Sequence, residues 1–240
     1  GDYRPLASVV LSAYEPGEDV VMRTPPMPLL DGQWVVGVVG TGPGGWALLA
    51  SPDVHTGEPL EVVTIPTGRL PVQWQGLDTV DVLVWSDPQP DQLTDEQRRA
   101  LVQWVWRGGH LVVTLGSHAR ELNAATDLAE ILPVTVEQLA VQAPSMRTLH
   151  EALGRPGGRA GGLVARVAPR REARVMAREP RTGLPLLCRL AKGAGTVTVM
   201  STTADQAGFA DVSALYHAQC LAALAGAQVR ATPVGGSDLP

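Results

Sequence analysis

Residues 93–118, LTDEQRRALVQWVWRGGHLVVTLGSH, decide the fold of this chain. Thr94 can accept from the first free amides of a helix while Gln97, three residues on, reaches back, which is the capping-box pattern. Ala100, Leu101, Trp104 and Val105 then share one face at helical spacing. Gly108 and Gly109 end the helix, because glycine takes the left-handed conformation cheaply. The run HLVVTL that follows is β-branched and apolar, as a strand covered on both faces must be. A capped helix running straight into a buried strand is half of a crossover unit.

The same grammar extends in both directions. GQWVVGVVG (32–40) reads as a first buried strand, GGWALLAS as a short helix stopped at Pro52, LEVVTIP as a second strand and LDTVDVLVWSD (77–87) as a third. Alternation of this kind implies a parallel sheet, since only crossovers join parallel neighbours. Downstream lie a short helix at 124–131, the stretch LPVTVEQLAV, and a glycine-rich segment at 154–162 read as a mobile loop. LVARVAP, ARVMARE, LPLLCRLA and GTVTVMST follow as antiparallel hairpin strands that extend or cover the sheet. FADVSALYHAQCLAALAG is a terminal amphipathic helix closed by Gly226. The expected organisation is an N-terminal β arm (1–31), one α/β domain (32–226) and a linker-like tail (227–240).

Composition narrows the classes. An apolar fraction of 45% with 18% charged residues describes a globular domain, and a net charge of −5 shows no global basic excess for nucleic acid. Arg166, Arg170, Arg171, Arg174, Arg178 and Arg181 cluster locally and read as a solvated face of the hairpin strands. Lys192 is the one lysine among 19 basic residues, which reflects coding bias. Cys188 and Cys220 fall in a strand-like and a helical run, where small buried thiols are common, and whether they pair is left open. His55, His150 and His217 stand at no metal-ligand spacing, so no metal is expected. No apolar run approaches a membrane span and no signal segment follows Gly1, so the chain reads as a soluble piece of a longer protein.

Two stretches suggest chemistry. Gly40-Thr41-Gly42-Pro43-Gly44-Gly45 formally matches the dinucleotide fingerprint, but Pro43 removes an amide, Pro52 stops the helix early and Glu61 opens the second strand instead of closing it. No cofactor is expected. Gly116-Ser117-His118 ends a strand as a nucleophile turn does, although no glycine stands two positions after the serine. Adjacent side chains diverge, so His118 is poorly placed as the base for Ser117, and Asp87 or Asp205 could orient a histidine. The plainer readings give Ser117 the cap of the following turn, Asp87 the cap of SDPQPD and His110 a strand start at the surface. They make the Trp104 and Trp106 pair one core ring and one partly exposed ring, on different faces of the helix.

LDTVDVLVWSD, LTDEQRRALVQWVWRGGHLVVTLGS, ILPV and GLPLLCRLAKGAGTVTVMS, taken in order over residues 75–210, resemble the class I glutamine amidotransferase-like domains of bacterial membrane-anchored proteins of unknown function. The resemblance implies a flavodoxin-like three-layer α/β sandwich. Amidotransferases of that class carry a cysteine nucleophile in a G-x-C-x-G turn; Leu115 or Gly116 stands there, and neither Cys188 nor Cys220 follows such a turn. The resemblance therefore implies a non-catalytic, extracytoplasmic or membrane-tethered module, with any membrane contact made by parts of a parent protein outside this chain.

The expected function is ligand binding or protein interaction, with other protein domains or a small ligand as partner. Ligands of open α/β sheets sit at the carboxyl ends of the strands, which nominates Asp87, Gly116, Ser117, His118, Thr202 and Asp205. The alternatives are a serine hydrolase using Ser117 and a structural spacer in an envelope complex.

Overall fold

A computed structural model describes residues 34–40, 60–153 and 160–204. The β arm at 1–31, the helix at GGWALLAS, the terminal helix, the tail and Asp205 lie outside the described residues. Within them the chain forms β1 (Trp34–Val39), β2 (Leu60–Ile65), β3 (Val82–Ser86), α1 (Asp95–Trp106), β4 (His110–Thr114), α2 (Thr126–Ile131), β5 (Val134–Ser145), α3 (Arg147–Ala152), β6 (Ala160–Pro169), β7 (Arg174–Arg178), β8 (Pro185–Lys192) and β9 (Gly195–Met200).

One seven-stranded sheet runs in the order β2-β1-β3-β4-β9-β8-β7. Its first five strands are parallel, and β8 and β7 add antiparallel at the far side. The parallel part is the 2-1-3-4-5 order of flavodoxin-like folds, with its switch point between β1 and β3. Side chains alternate between two cores, as the period of a strand requires. Leu83, Trp85, Leu111, Val113, Val197 and Val199 pack on α1 and α2, whereas Val36, Val38, Val82, Val84, Val112 and Met200 pack on α3. The mostly parallel α/β architecture agrees with the sequence.

Helix α1 locks the frame. Its capping box forms as expected: Gln97 N donates to Thr94 Oγ1 (3.3 Å) and Thr94 N donates to Gln97 Oε1 (2.9 Å). Gln97 does more, because its Nε2 donates to Leu70 O (2.7 Å) and Gly68 O (3.2 Å) and so ties the helix start to the β2–β3 connection. At the other end Gly109 lies against the Trp104 ring, where any Cβ would overlap it. Trp104 is 4% exposed and Trp106 51%, one ring in the core and one at the surface.

Several expectations change. The link between β2 and β3, to which the sequence reading assigns no element, holds two 3₁₀ turns, Thr67–Arg69 and Trp74–Leu77. The β5–β6 hairpin forms a separate two-stranded sheet and does not extend the main one. Residues 160–162 of the glycine-rich segment belong to β6, where a Cβ on Gly161 would strike the Ala143 carbonyl oxygen across the ladder. Helix α3, which the sequence reading missed, buries Leu149 and His150. His110 opens β4 as expected, but it is half-buried, with Nδ1 2.7 Å from Thr196 Oγ1.

Replacing Gln97 by alanine removes half of the capping box and leaves two carbonyls without their donor. The expected loss is about 2 kcal/mol, against about 1 kcal/mol for Thr94→Ala. Urea denaturation of the two variants measures the difference; equal losses would show that the tether to Gly68 and Leu70 contributes nothing.

Candidate functional site

The carboxyl rim of β3 and β4 gathers Asp87, Gly116, Ser117 and His118 into one cluster. Asp87 follows the last residue of β3 and adopts φ 45°, the left-handed region that asparagine and aspartate tolerate better than other side chains. Its own N–H donates to Thr114 O (2.9 Å), which pins it to the end of β4. Its carboxylate then receives three donors: His118 N to Oδ1, Ser117 Oγ to Oδ2 and His118 Nδ1 to Oδ2, each at 2.9 Å.

Gly116 makes this convergence possible through space. A Cβ there would lie 2.5 Å from Asp87 Cγ and 2.6 Å from its Oδ1. Any side chain at 116 would push the carboxylate away from the His118 amide.

The electrostatics follow from the geometry. Burial pushes the Asp87 carboxyl up, and the His118 amide, the His118 ring and the Ser117 hydroxyl together outweigh it and hold the group below its ordinary 3.8. The hydrogen bond to Asp87 holds His118 above its ordinary 6.5 against a small opposing effect of burial, with Glu121 and Asp91 adding attraction. The side chains remain reachable from solvent, His118 at 40% and Asp87 at 28% exposure. Gln89 Nε2 lies 3.1 Å from His118 Nδ1 and 3.2 Å from Nε2. An atom nearly equidistant from both nitrogens cannot lie along either in-plane lone pair, so the amide covers the ring face.

Ser117 and Asp87 therefore have roles other than the caps expected for them. The 3₁₀ turn at Ala119–Asn123 begins at His118 with no side-chain cap, and the turn at Pro90–Gln92 has none from Asp87. The serine, the histidine and the aspartate are close, but they do not form a relay. Ser117 Oγ is 3.2 Å from His118 Nδ1, the same nitrogen that donates to Asp87. A relay needs the serine on one ring nitrogen and the carboxylate on the other.

Thr202 sits apart from the cluster, buried, with its hydroxyl donating to Leu163 O (2.9 Å). Cys188 is buried and desolvation pushes its thiol up to about 11, which makes it a poor nucleophile. The reading missed Ser86 and Thr114, which are paired in register beneath the cluster on the α3 face. Both hydroxyl oxygens are buried without a hydrogen-bond partner. Alternation along β3 and β4 identifies the face, and the signal for a site is two hydroxyl residues ending adjacent apolar strands. It also missed Gln89. Among the described residues no group of three or more His, Cys, Asp or Glu could hold a metal ion, and no helix is long and apolar enough to cross a membrane.

Comparison with solved structures places this geometry on a known frame. The chain aligns over 80% of its length with the cytoplasmic protein STM1381 from Salmonella typhimurium LT2, covering 98% of that protein at a TM-score of 0.61 and 17% identity. The cytoplasmic protein STM3548 from Salmonella typhimurium gives 80% and 99% coverage, a TM-score of 0.61 and 16% identity. The shared fold is the flavodoxin-like one given by the strand order. A ThuA-like protein from Bacteroides uniformis shares it at a TM-score of 0.51 and 10% identity, with 80% of this chain and 90% of that one covered. No family model and no curated protein matches the sequence.

These neighbours correct the resemblance to domains of membrane-anchored proteins. The ordered motifs that carried it encode a crossover sheet with a terminal hairpin, which many families share, and hold nothing specific to a membrane-anchored one.

The cluster titrates in a defined direction. Because folding raises His118, its contribution to stability is complete below about 6.5 and fades as the pH climbs through its raised midpoint. The Asp87 contribution is present above 3.8 and is lost as the pH falls through its depressed value. Imidazole NMR should show the His118 midpoint above 6.5 and its return towards 6.5 in Asp87→Asn; an unchanged midpoint would remove the ion pair from the account.

Proposed function

We propose that this chain is a non-catalytic binding domain that takes a small polar ligand at the carboxyl rim of β3 and β4, beside the β1/β3 switch point. The observation that carries this reading is the preorganised cluster on Asp87, held by three donors at 2.9 Å. With those donors engaged, the groups left for a ligand are the Ser117 lone pairs and His118 Nε2. A protonated ring offers Nε2–H, so the rim favours ligands that present acceptor oxygens. The fold by itself licenses no function, and the proposal rests on this site.

The serine-hydrolase reading is kept in view by the proximity of Ser117, His118 and Asp87, and the shared Nδ1 counts against it. A fluorophosphonate probe should leave the folded protein unlabelled. Labelling abolished by Ser117→Ala would replace the binding proposal with hydrolysis.

A thermal-shift screen against sugars, nucleotides, carboxylic acids and peptidoglycan fragments tests binding. A native-state ligand adds about 2.7 kcal/mol at a hundredfold excess over its dissociation constant, which moves the melting point visibly. The expected result is a hit that His118→Ala and Ser117→Ala weaken. A panel without hits would turn the reading towards interaction with another protein domain at the same rim.

A further inference from the structure

The opposite edge of the sheet holds a second place where charge is arranged and unspent. Asp78, Val80, Asp81, Trp104, Arg107 and His110, with the backbone of Gly108 and Gly109, line a cleft of about 360 Å³. That volume is within the range of small-molecule sites, roughly 300–1,000 Å³. The walls carry both signs, and among the described residues neither carboxylate forms an ion pair with Arg107.

Arg107, Asp81 and His110 are each held where they stand. The Arg107 guanidinium lies 4.1 Å over the Trp74 ring, which orients it without using its N–H donors. Asp81 Oδ2 accepts from Val35 N (2.8 Å), fixing the side chain and leaving Oδ1. His110 is anchored to Thr196, and burial, with Arg189 adding to it and Asp81 opposing, holds the ring below its ordinary 6.5. Val80 and Trp104 are the apolar side chains among the cleft's lining residues.

A lone anion would meet two carboxylates in this cleft, and a lone cation would meet the guanidinium. A molecule with both charges a few bonds apart satisfies both walls. We propose that the cleft at the amino edge binds a free α-amino acid, its carboxylate on the Arg107 fork, its ammonium between Asp78 and Asp81 and its Cα against Val80 and Trp104. This site is separate from the rim cluster and does not depend on the rim reading.

Calorimetric titration of the full chain with glycine, alanine, serine, glutamate and arginine, each beside its N-acetyl and carboxamide forms, tests it. At least one free amino acid should bind, and both blocked forms of it should fail. Asp78→Asn and Arg107→Met each remove one charge from an exposed side chain, so the protein keeps its fold, and each should weaken binding about tenfold. Arg171→Ala, an exposed side chain in the β6–β7 turn outside both sites, should bind as the unmodified chain does. Absence of binding by every free amino acid at millimolar concentration would overturn the proposal, as would binding that survives blocking or both substitutions.

Discussion

The contact between Gly116 and the Asp87 carboxylate is the constraint on which the rim depends. A glycine is required at 116 by space alone, because its backbone lies outside the left-handed region that favours glycine. With no Cβ in the way, a carboxylate from the end of β3 reaches across the end of β4 and accepts the His118 amide. That one acceptance fixes the turn after β4, brings the Ser117 hydroxyl and the His118 ring onto the same carboxylate, and raises the ring's affinity for a proton. Asp87 adopts a left-handed conformation to do so, and such backbone outliers persist where surrounding bonds over-determine them.

The sheet supplies the precision. β3 and β4 pair in register from Val82 and His110 to Ser86 and Thr114, so the residues that leave the two strands emerge side by side. Both strands are covered on both faces, and α1 is bolted at its start by Gln97 and at its end by the packing of Gly109 on Trp104. A site built on such strands is held more tightly than one carried on a free loop. The same register gives the amino edge its own character, since Asp81 precedes β3 and His110 opens β4 at the cleft.

What could be read from the sequence was what local chemistry writes. Thr94 and Gln97 announce a helix start within four residues, Gly108 and Gly109 announce its end, and unbroken β-branched runs announce buried parallel strands. The nomination of Asp87, Gly116, Ser117 and His118 as one rim followed from strand ends alone, and the structure brings all four together. Thr202 was nominated by the same rule, and its hydroxyl is instead spent on Leu163.

The remainder required contacts between residues far apart in the chain. The caps assigned to Ser117 and Asp87 were the locally available bonds, and a bond between positions 30 residues apart displaced them. The second role of Gln97 reaches 27 and 29 residues back. The β5–β6 hairpin carries the pattern of any half-buried strand pair, and pattern does not say which sheet it joins. The most direct measurement of the account is the imidazole NMR titration of His118 in Gly116→Ala. The account predicts a folded protein whose His118 midpoint has fallen to near 6.5, because the new methyl displaces the Asp87 carboxylate. A folded variant with the raised midpoint intact would contradict it.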